Sequence, residues 1–327
     1  MTPAPIVVFG YNRPLHLERC LQALAQAELA AESSLFIFCD GAKSEADAAA
    51  VEETRRVARA ASGFSNLTVR EAPANFGLAT SVSQGVSEIC KEFGRVIVVE
   101  DDIVVSPAFL SHMNQALERY KENEAVMQVS GFMFGLDFGP PARSFFMRMT
   151  TSWGWATWQR AWAKFSNDPS RIDLAAIDAD TARRFDLDGH YPFMKMLRYR
   201  IEGKNSSWAA LWAWTVFNAE GLVLHPTRSL VSNIGFDGSG THFTKPPLPG
   251  DPAHPWTVSA FNGSLAFPEQ IAADERASEM VKRFMFVTSQ KPPKPKKPKP
   301  PKVRIRRTFF QRLNDSISKR LRKLGLK

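Results

Sequence analysis

The sequence predicts an α/β fold, a mostly parallel central sheet flanked by helices. Three observations carry this. Over the first hundred residues or so, short apolar runs alternate with helical patterns, as strands joined by crossover helices do. Within GRVIVVEDDIVVS (Gly94–Ser106), Arg95–Val99 is apolar after its first residue, as suits a strand buried on both faces in the middle of a parallel sheet. Polar residues follow these runs at once: Asp40-Gly41 after one, and Glu100, Asp101 and Asp102 after another. Open α/β sheets bind ligands at the carboxyl ends of their strands.

Pro5–Phe9 reads as the first strand, followed by the loop Gly10–Pro14. Pro14 suits a helix start, where its missing N–H costs nothing, and Leu15, Leu17, Leu21 and Leu24 then give an amphipathic stripe. Leu35–Cys39 is the second strand. Ser44 is a candidate cap for a helix to about Ala61, with Glu45 and Asp47 favourable in its first turn. Leu67–Arg70 is a short third strand, and Asn75-Phe76-Gly77 leads into a helix over Leu78–Phe93 that Gly94 ends. After Ser106-Pro107 a helix runs over Phe109–Tyr120. Val126–Ser130, Phe145–Met149 and Leu222–Leu224 are further strands, and Ile271–Phe284 a last helix. Residues 246–267 read as irregular and rich in Pro and Gly.

The net charge of +9 is unevenly spread. Residues 291–327 hold fifteen Lys/Arg and one acid, a net of +14, so the preceding 290 residues carry a net of −5. That division argues against a nucleic-acid surface on the body and puts the electrostatic partner at the tail. The segment 291–301 reads as a Pro/Lys-rich spacer in extended conformation. Residues 302–327 then read as a basic amphipathic helix with Phe310, Leu313, Ile317, Leu321 and Leu324 in its stripe. Such a helix fits an anionic membrane surface; a nucleic-acid arm or a docking helix is the competitor. No run of eighteen apolar residues occurs, so no spanning helix is expected. MTPAPIVVFGYNRP has no signal-peptide pattern. Cys20, Cys39 and Cys90 show no zinc spacing and read as reduced thiols of a cytoplasmic protein.

The carboxylates Glu100, Asp101 and Asp102 at a strand end suit a hard divalent cation beside substrate phosphates. A solvated acidic turn is the plain alternative. Trp153, Trp155, Trp158 and Trp162 crowd one stretch, and Trp208, Trp212 and Trp214 another. They form either a core wedge or an aromatic wall for a sugar. Asn233–His242 is Gly-rich, which points to tight turning or close approach to a ligand, with His242 a candidate ligand or phosphate contact and a surface histidine otherwise. Neither GxGxxG nor GxxxxGK[ST] follows a strand, so a dinucleotide fingerprint and a P-loop are unsupported. A nucleotidyltransferase would more naturally carry a Gly-rich phosphate loop after its first strand.

Val7–Pro14 (VVFGYNRP), Asp40-Gly41, Asn75–Gly77 (NFG), Val98–Asp102 (VVEDD), Trp153–Trp158 (WGWATW) and Asn233–His242 (NIGFDGSGTH) occur in an order that resembles inverting GT-A glycosyltransferases. These include the N-acetylglucosaminyltransferase I-like family and its bacterial relatives. The resemblance covers roughly residues 4–245. It implies a GT-A domain over 1–290, with a nucleotide-binding part at about 4–105 and an acceptor-side part at about 106–290. It also implies a nucleotide-diphosphate sugar as donor, and Mn²⁺ or Mg²⁺. Arg13, Asp40, Asn75, Gly77, Glu100 and Asp101 would lie at the nucleotide and metal motif. Asp102 and His242 would hold the metal, and Trp153, Trp155 and Trp208 would face the sugars. Relatives often carry SWD where this chain has Ser207-Trp208-Ala209, and alanine cannot accept a proton. The base then falls to Asp237, with Glu220, Asp188 and Asp186 as further options. The implied acceptor is a lipid-linked glycan or surface polysaccharide at the inner face of the cell membrane. The alternative is a non-catalytic nucleotide-sugar or glycan-binding protein.

Overall fold

The computed structural model describes residues 2–238 and 260–289. His242, much of 246–267, and the spacer and basic helix expected over 291–327 lie outside them. In chain order the elements are β1 (Ile6–Gly10), α1 (Pro14–Ala25), β2 (Ser34–Cys39), α2 (Glu45–Arg59), β3 (Asn66–Glu71), α3 (Leu78–Phe93) and β4 (Arg95–Glu100). Then come β5 (Ile103–Val105), α4 (Phe109–Arg119), β6 (Val126–Ser130), β7 (Ser144–Met147) and β8 (Trp155–Trp158). They are followed by α5 (Gln159–Trp162), α6 (Ala179–Phe185), α7 (Phe193–Ile201), α8 (Trp208–Asn218), β9 (Leu222–Pro226), β10 (Val231–Asn233) and α9 (Glu275–Ser289).

Among the described residues the main sheet has eight strands in the order β3-β2-β1-β4-β8-β6-β9-β7. The half formed by β3, β2, β1 and β4 is parallel, with Ile6 opposite Leu35 on one side and Ile97 on the other. β8 then runs antiparallel to both β4 and β6, while β6 and β9 are parallel. The sheet is therefore mixed, and β4, expected inside parallel pairing, has a parallel neighbour on one side only. β8 was hidden in the tryptophan-rich stretch, because WATW is too short and too aromatic to announce a strand by alternation. The apolar run Ile103–Val105 leaves the main sheet and pairs antiparallel with β10.

The apolar faces of α1 and α3 explain why the parallel half holds. Leu17, Cys20, Leu21 and Leu24 of α1 are buried, as are Val82, Val86, Ile89 and Cys90 of α3. They sit in two separate core clusters, α1's with the side chains of Ile6, Val8, Ile97 and Val99, α3's with those of Val7, Val96 and Val98. Leu15, expected in the α1 stripe, is instead 71% exposed. Ser44 occupies the N-cap of α2, but its hydroxyl donates to Asp47 Oδ2 (2.9 Å) and makes no capping bond to the backbone. The three cysteines are free and buried. Among the described residues no helix is long and apolar enough to cross a membrane.

Two histidines in the core are sealed from solvent. Burial pushes the imidazoles of His112 and His225 down to about 4. His225 is held by its Nε2 to the Met149 carbonyl oxygen at 2.7 Å. The unfolded chain binds protons near 6.5 that the native chain excludes. Stability from these groups is therefore complete above that pH and is lost on the way down to about 4, by up to about 3 kcal/mol each. Urea unfolding at pH values from about 7.5 down to about 4.5 will show this decline. His225→Gln, whose amide N–H still reaches Met149, will show a smaller one.

Candidate functional site

The carboxyl ends of β1, β2 and β4 lie side by side, because β1 pairs in parallel with both neighbours. Each releases a polar segment there: Tyr11–Arg13, Asp40-Gly41 and Glu100–Asp102. Arg13, at the N-cap of α1, turns its guanidinium onto the acidic segment. It donates through Nη2 to Asp101 Oδ1 and to Asp102 Oδ2 (3.0 Å), and through Nε to Asp101 Oδ2 (3.4 Å). Burial pulls the Arg13 pKa down, but the two carboxylates outweigh it and push it up. Burial, then the Asp102 and Asp101 charges, raise Glu100 to about 8 against the pull of Arg13. Burial likewise raises Asp101 to about 7, with Arg13 opposing. One guanidinium thus does not offset the cost of placing Glu100 and Asp101 in this desolvated cluster, whose carboxyls it leaves raised.

Asp102 is the exception in its bonding. Its Oδ2 meets Arg13, while its Oδ1 is buried with no hydrogen-bond partner. The turn after β10 closes over it: Ile234 N–H donates to the Asp102 carbonyl (2.8 Å), and Gly235 N–H to Asn233 Oδ1 (2.7 Å). A Cβ on Gly235 would stand 2.4 Å from Asp102 Oδ2, so the turn approaches only because that residue is glycine. Among the described residues no group of three or more His, Cys, Asp or Glu converges as a metal site. The donor set is one carboxylate with a spare oxygen. That suits Mg²⁺ or Mn²⁺ holding substrate phosphates and waters as its other ligands.

Asp40 plays a different part. It is buried, and its carboxylate accepts from Gly41 N–H (2.9 Å), Phe76 N–H (2.8 Å), Gly77 N–H (2.8 Å) and Asn75 Nδ2 (3.1 Å). Asn75 Nδ2 also donates to the Gly41 carbonyl (2.9 Å). The Asn75–Gly77 loop is thereby clasped onto the end of β2. A Cβ on Gly41 would stand 2.4 Å from the Ala74 carbonyl carbon, so the clasp needs glycine there too. Tyr11 OH accepts from Lys43 N–H (3.1 Å), tying the β1–α1 and β2–α2 loops together. Phe76 stands exposed beside the clasp.

Of the proposed bases, Asp237 follows the Gly235 turn and pairs through Oδ2 with His16 Nε2 at 3.1 Å. His16 was missed, although its place one helical turn after Arg13 was the available signal. Glu220 is not brought to this rim. It precedes β9, at the end of the strands opposite this rim, and pairs with Arg148 and Arg184. Asp188 is bound by Lys282 (2.7 Å) and Arg183 (2.9 Å), and Asp186 accepts from Met194 N–H (2.6 Å) at the start of α7.

The tryptophans divide. Trp153 and Trp208, with Ala209, line an aromatic cavity of about 190 Å³ that also takes in Phe132 and Tyr191. Trp153 stands edge-on to Phe236 (centroids 5.6 Å apart), which links this cavity to the turn over Asp102. Trp155 does not line it. Trp155 is fully buried in β8 and stacks on Trp208 at 5.3 Å, so its ring is core and not sugar-facing wall. Trp158 and Trp162 are buried as well.

Compared with solved structures, the chain is similar to the mannosyltransferase PcManGT from Pyrobaculum calidifontis in complex with GDP-Man and Mn²⁺, with 13% identity and a TM-score of 0.37 over 67% of this chain and 75% of that one. It is similar to S. aureus TarS with 12% identity and a TM-score of 0.40, over 72% of this chain and 37% of that one. A cytidylyltransferase from Leptospira borgpetersenii is similar with 10% identity and a TM-score of 0.33, over 53% of this chain and 66% of that one. No family model and no curated protein matches the chain.

The clasp makes a direct expectation. Asp40→Ala leaves three backbone N–H groups and an amide without their charged acceptor, and will cost about 2–4 kcal/mol in guanidinium unfolding. Asp40→Asn, which keeps the shape, will cost less.

Proposed function

We propose that this protein is a GT-A glycosyltransferase that moves a sugar, with inversion, from a nucleotide-diphosphate sugar to a glycan acceptor. The observation that carries the reading is the spare, buried Oδ1 of Asp102 at the carboxyl end of β4, beside Arg13. Asp102, with His242 from outside the described residues, would hold a divalent cation, which when bound would supply positive charge facing the diphosphate leaving group. Arg13 adds a fixed positive group at the same place, already oriented by Asp101. The Asp40 clasp positions Asn75 and Gly77 at the nucleotide, and exposed Phe76 suits stacking of its base. Trp153 and Trp208 border the sugars in the aromatic cavity. Asp237 takes the acceptor hydroxyl's proton, with His16 orienting its carboxylate. The basic tail holds the enzyme peripherally at an anionic cytoplasmic leaflet, each nearby Lys or Arg contributing about 1 kcal/mol, so that the site reaches a lipid-linked acceptor.

A panel of nucleotide sugars, tested for protection against thermal unfolding with and without Mn²⁺, is the primary test, since a ligand of the native state raises its apparent stability. Protection by one donor, strengthened by the metal, is expected; no protection by any donor refutes the reading. Asp102→Ala will lower transfer at least about 100-fold, and wild-type activity in metal-free buffer would contradict its role. Asp237→Asn will lower turnover far more than donor affinity measured by calorimetry. Removing 291–327 will leave action on short detached acceptors intact and abolish salt-sensitive co-sedimentation with anionic vesicles.

A further inference from the structure

We propose that the cleft between the C-terminal half of α8 and the 164–172 segment is a second carbohydrate site, for a saccharide bearing a negative charge. The cleft measures about 390 Å³, within the roughly 300–1,000 Å³ of small-ligand sites. It lies towards the end of the strands opposite the acidic rim. Asn218 and Ala219 on its wall lead into the start of β9, and Lys164 follows Trp158, which pairs with Arg95 at the start of β4. It is thus separate from the site described above, and its argument does not rest on the transfer reaction.

Three features select the ligand. Trp214 lines the cleft and is half-buried, with its ring braced edge-on by Phe185 (5.1 Å) and tilted against Phe217 (5.6 Å). A fixed, partly exposed indole offers an apolar face to a sugar ring at little entropic cost. Lys164 and Arg171 face the same space; Lys164 makes no ion pair among the described residues, and Arg171 lies near enough to Asp168 to add its charge to the larger effect of Ser170's hydrogen bonds in lowering that carboxyl. The one carboxylate on the wall, Asp168, spends Oδ1 on Ser170 N–H (3.0 Å) and Ser170 Oγ (2.7 Å). With two cations against one ionised carboxylate, the cleft is net positive by one charge on a body of net charge −5. Asn218 and Ser166 supply neutral polar groups for hydroxyls. The segment carrying Lys164 and Arg171 is pinned to α7 by Arg200, whose Nη2 donates to Asn167 O and Oδ1, each at 3.2 Å. An aromatic wall with an excess of exposed cations and amide-type partners recognises a uronic-acid or phosphate-bearing sugar, the cations reading its charge.

Calorimetry with the full chain tests this, using a galacturonate trimer, a hexose phosphate and a neutral galactose trimer. At least one charged saccharide will bind, and the neutral trimer at least about tenfold more weakly; which charged probe binds tells carboxylate from phosphate. The double variant Lys164→Ala with Arg171→Ala changes exposed side chains only, and will lose at least about tenfold in affinity with its melting temperature unchanged. Trp214→Phe will retain more binding than Trp214→Ala. Equal binding of the neutral trimer, absence of binding by both charged probes, or unchanged affinity in the double variant would each overturn the proposal.

Discussion

Burying carboxylates demands compensation, and the acidic end of β4 is organised around that demand. Glu100, Asp101 and Asp102 follow one another with no spacer, and a single guanidinium, Arg13, is set against them. Desolvation and mutual repulsion raise Glu100 and Asp101, and Arg13 does not cancel the effect. The parallel pairing of β1 with β4 brings Arg13 there, since both strands end at the same level. The β5–β10 ribbon then lays the Asn233–Gly235 turn over Asp102. An excess of negative charge with one unused oxygen is a poor resting arrangement for a fold and a good one for receiving a cation.

The neighbouring loops solve the opposite problem. Asp40 is also a buried carboxylate at a strand end, but the chain surrounds it with donors from Gly41 to Gly77. Its charge is consumed internally and converts a long loop into a fixed shelf. Two acids that look alike in the sequence thus divide into a structural clasp and an unsatisfied group. The difference lies in how many N–H groups each one meets.

The aromatic stretches follow from the mixed sheet. Because β8 enters between β4 and β6, its Trp155 packs against Trp208 and Trp212 of α8 and Trp162 of α5, while its Trp158 donates to the Leu117 carbonyl of α4 (2.9 Å), and both become core. α8 then separates two cavities, with Trp208, Ala209 and Ala213 on one side and Leu211, Trp214 and Thr215 on the other. Neither the number of tryptophans nor their spacing distinguishes a ring that fills the interior from one that lines a cavity.

The parallel half of the fold, and strand β6 beyond it, were legible in the residues. Strands β1, β2, β4 and β6 and helices α1 and α3 stand within a residue or two of where apolar runs, Pro14 and Gly94 put them, because such local chemistry acts over a few neighbouring positions. The acidic rim was legible too, as a strand end in an α/β pattern. What the tertiary structure decided depends on partners distant in the chain. Arg13 meets Asp101 across 88 positions, and Asp40 meets Phe76 across 36. His16 joins Asp237, Glu220 is carried to the opposite end of the strands, and β8 inserts antiparallel beside β4. Which polar atom ends buried and unpaired is the balance left after all such contacts form. No local pattern encodes that balance, and so Asp102 Oδ1 became visible only in three dimensions.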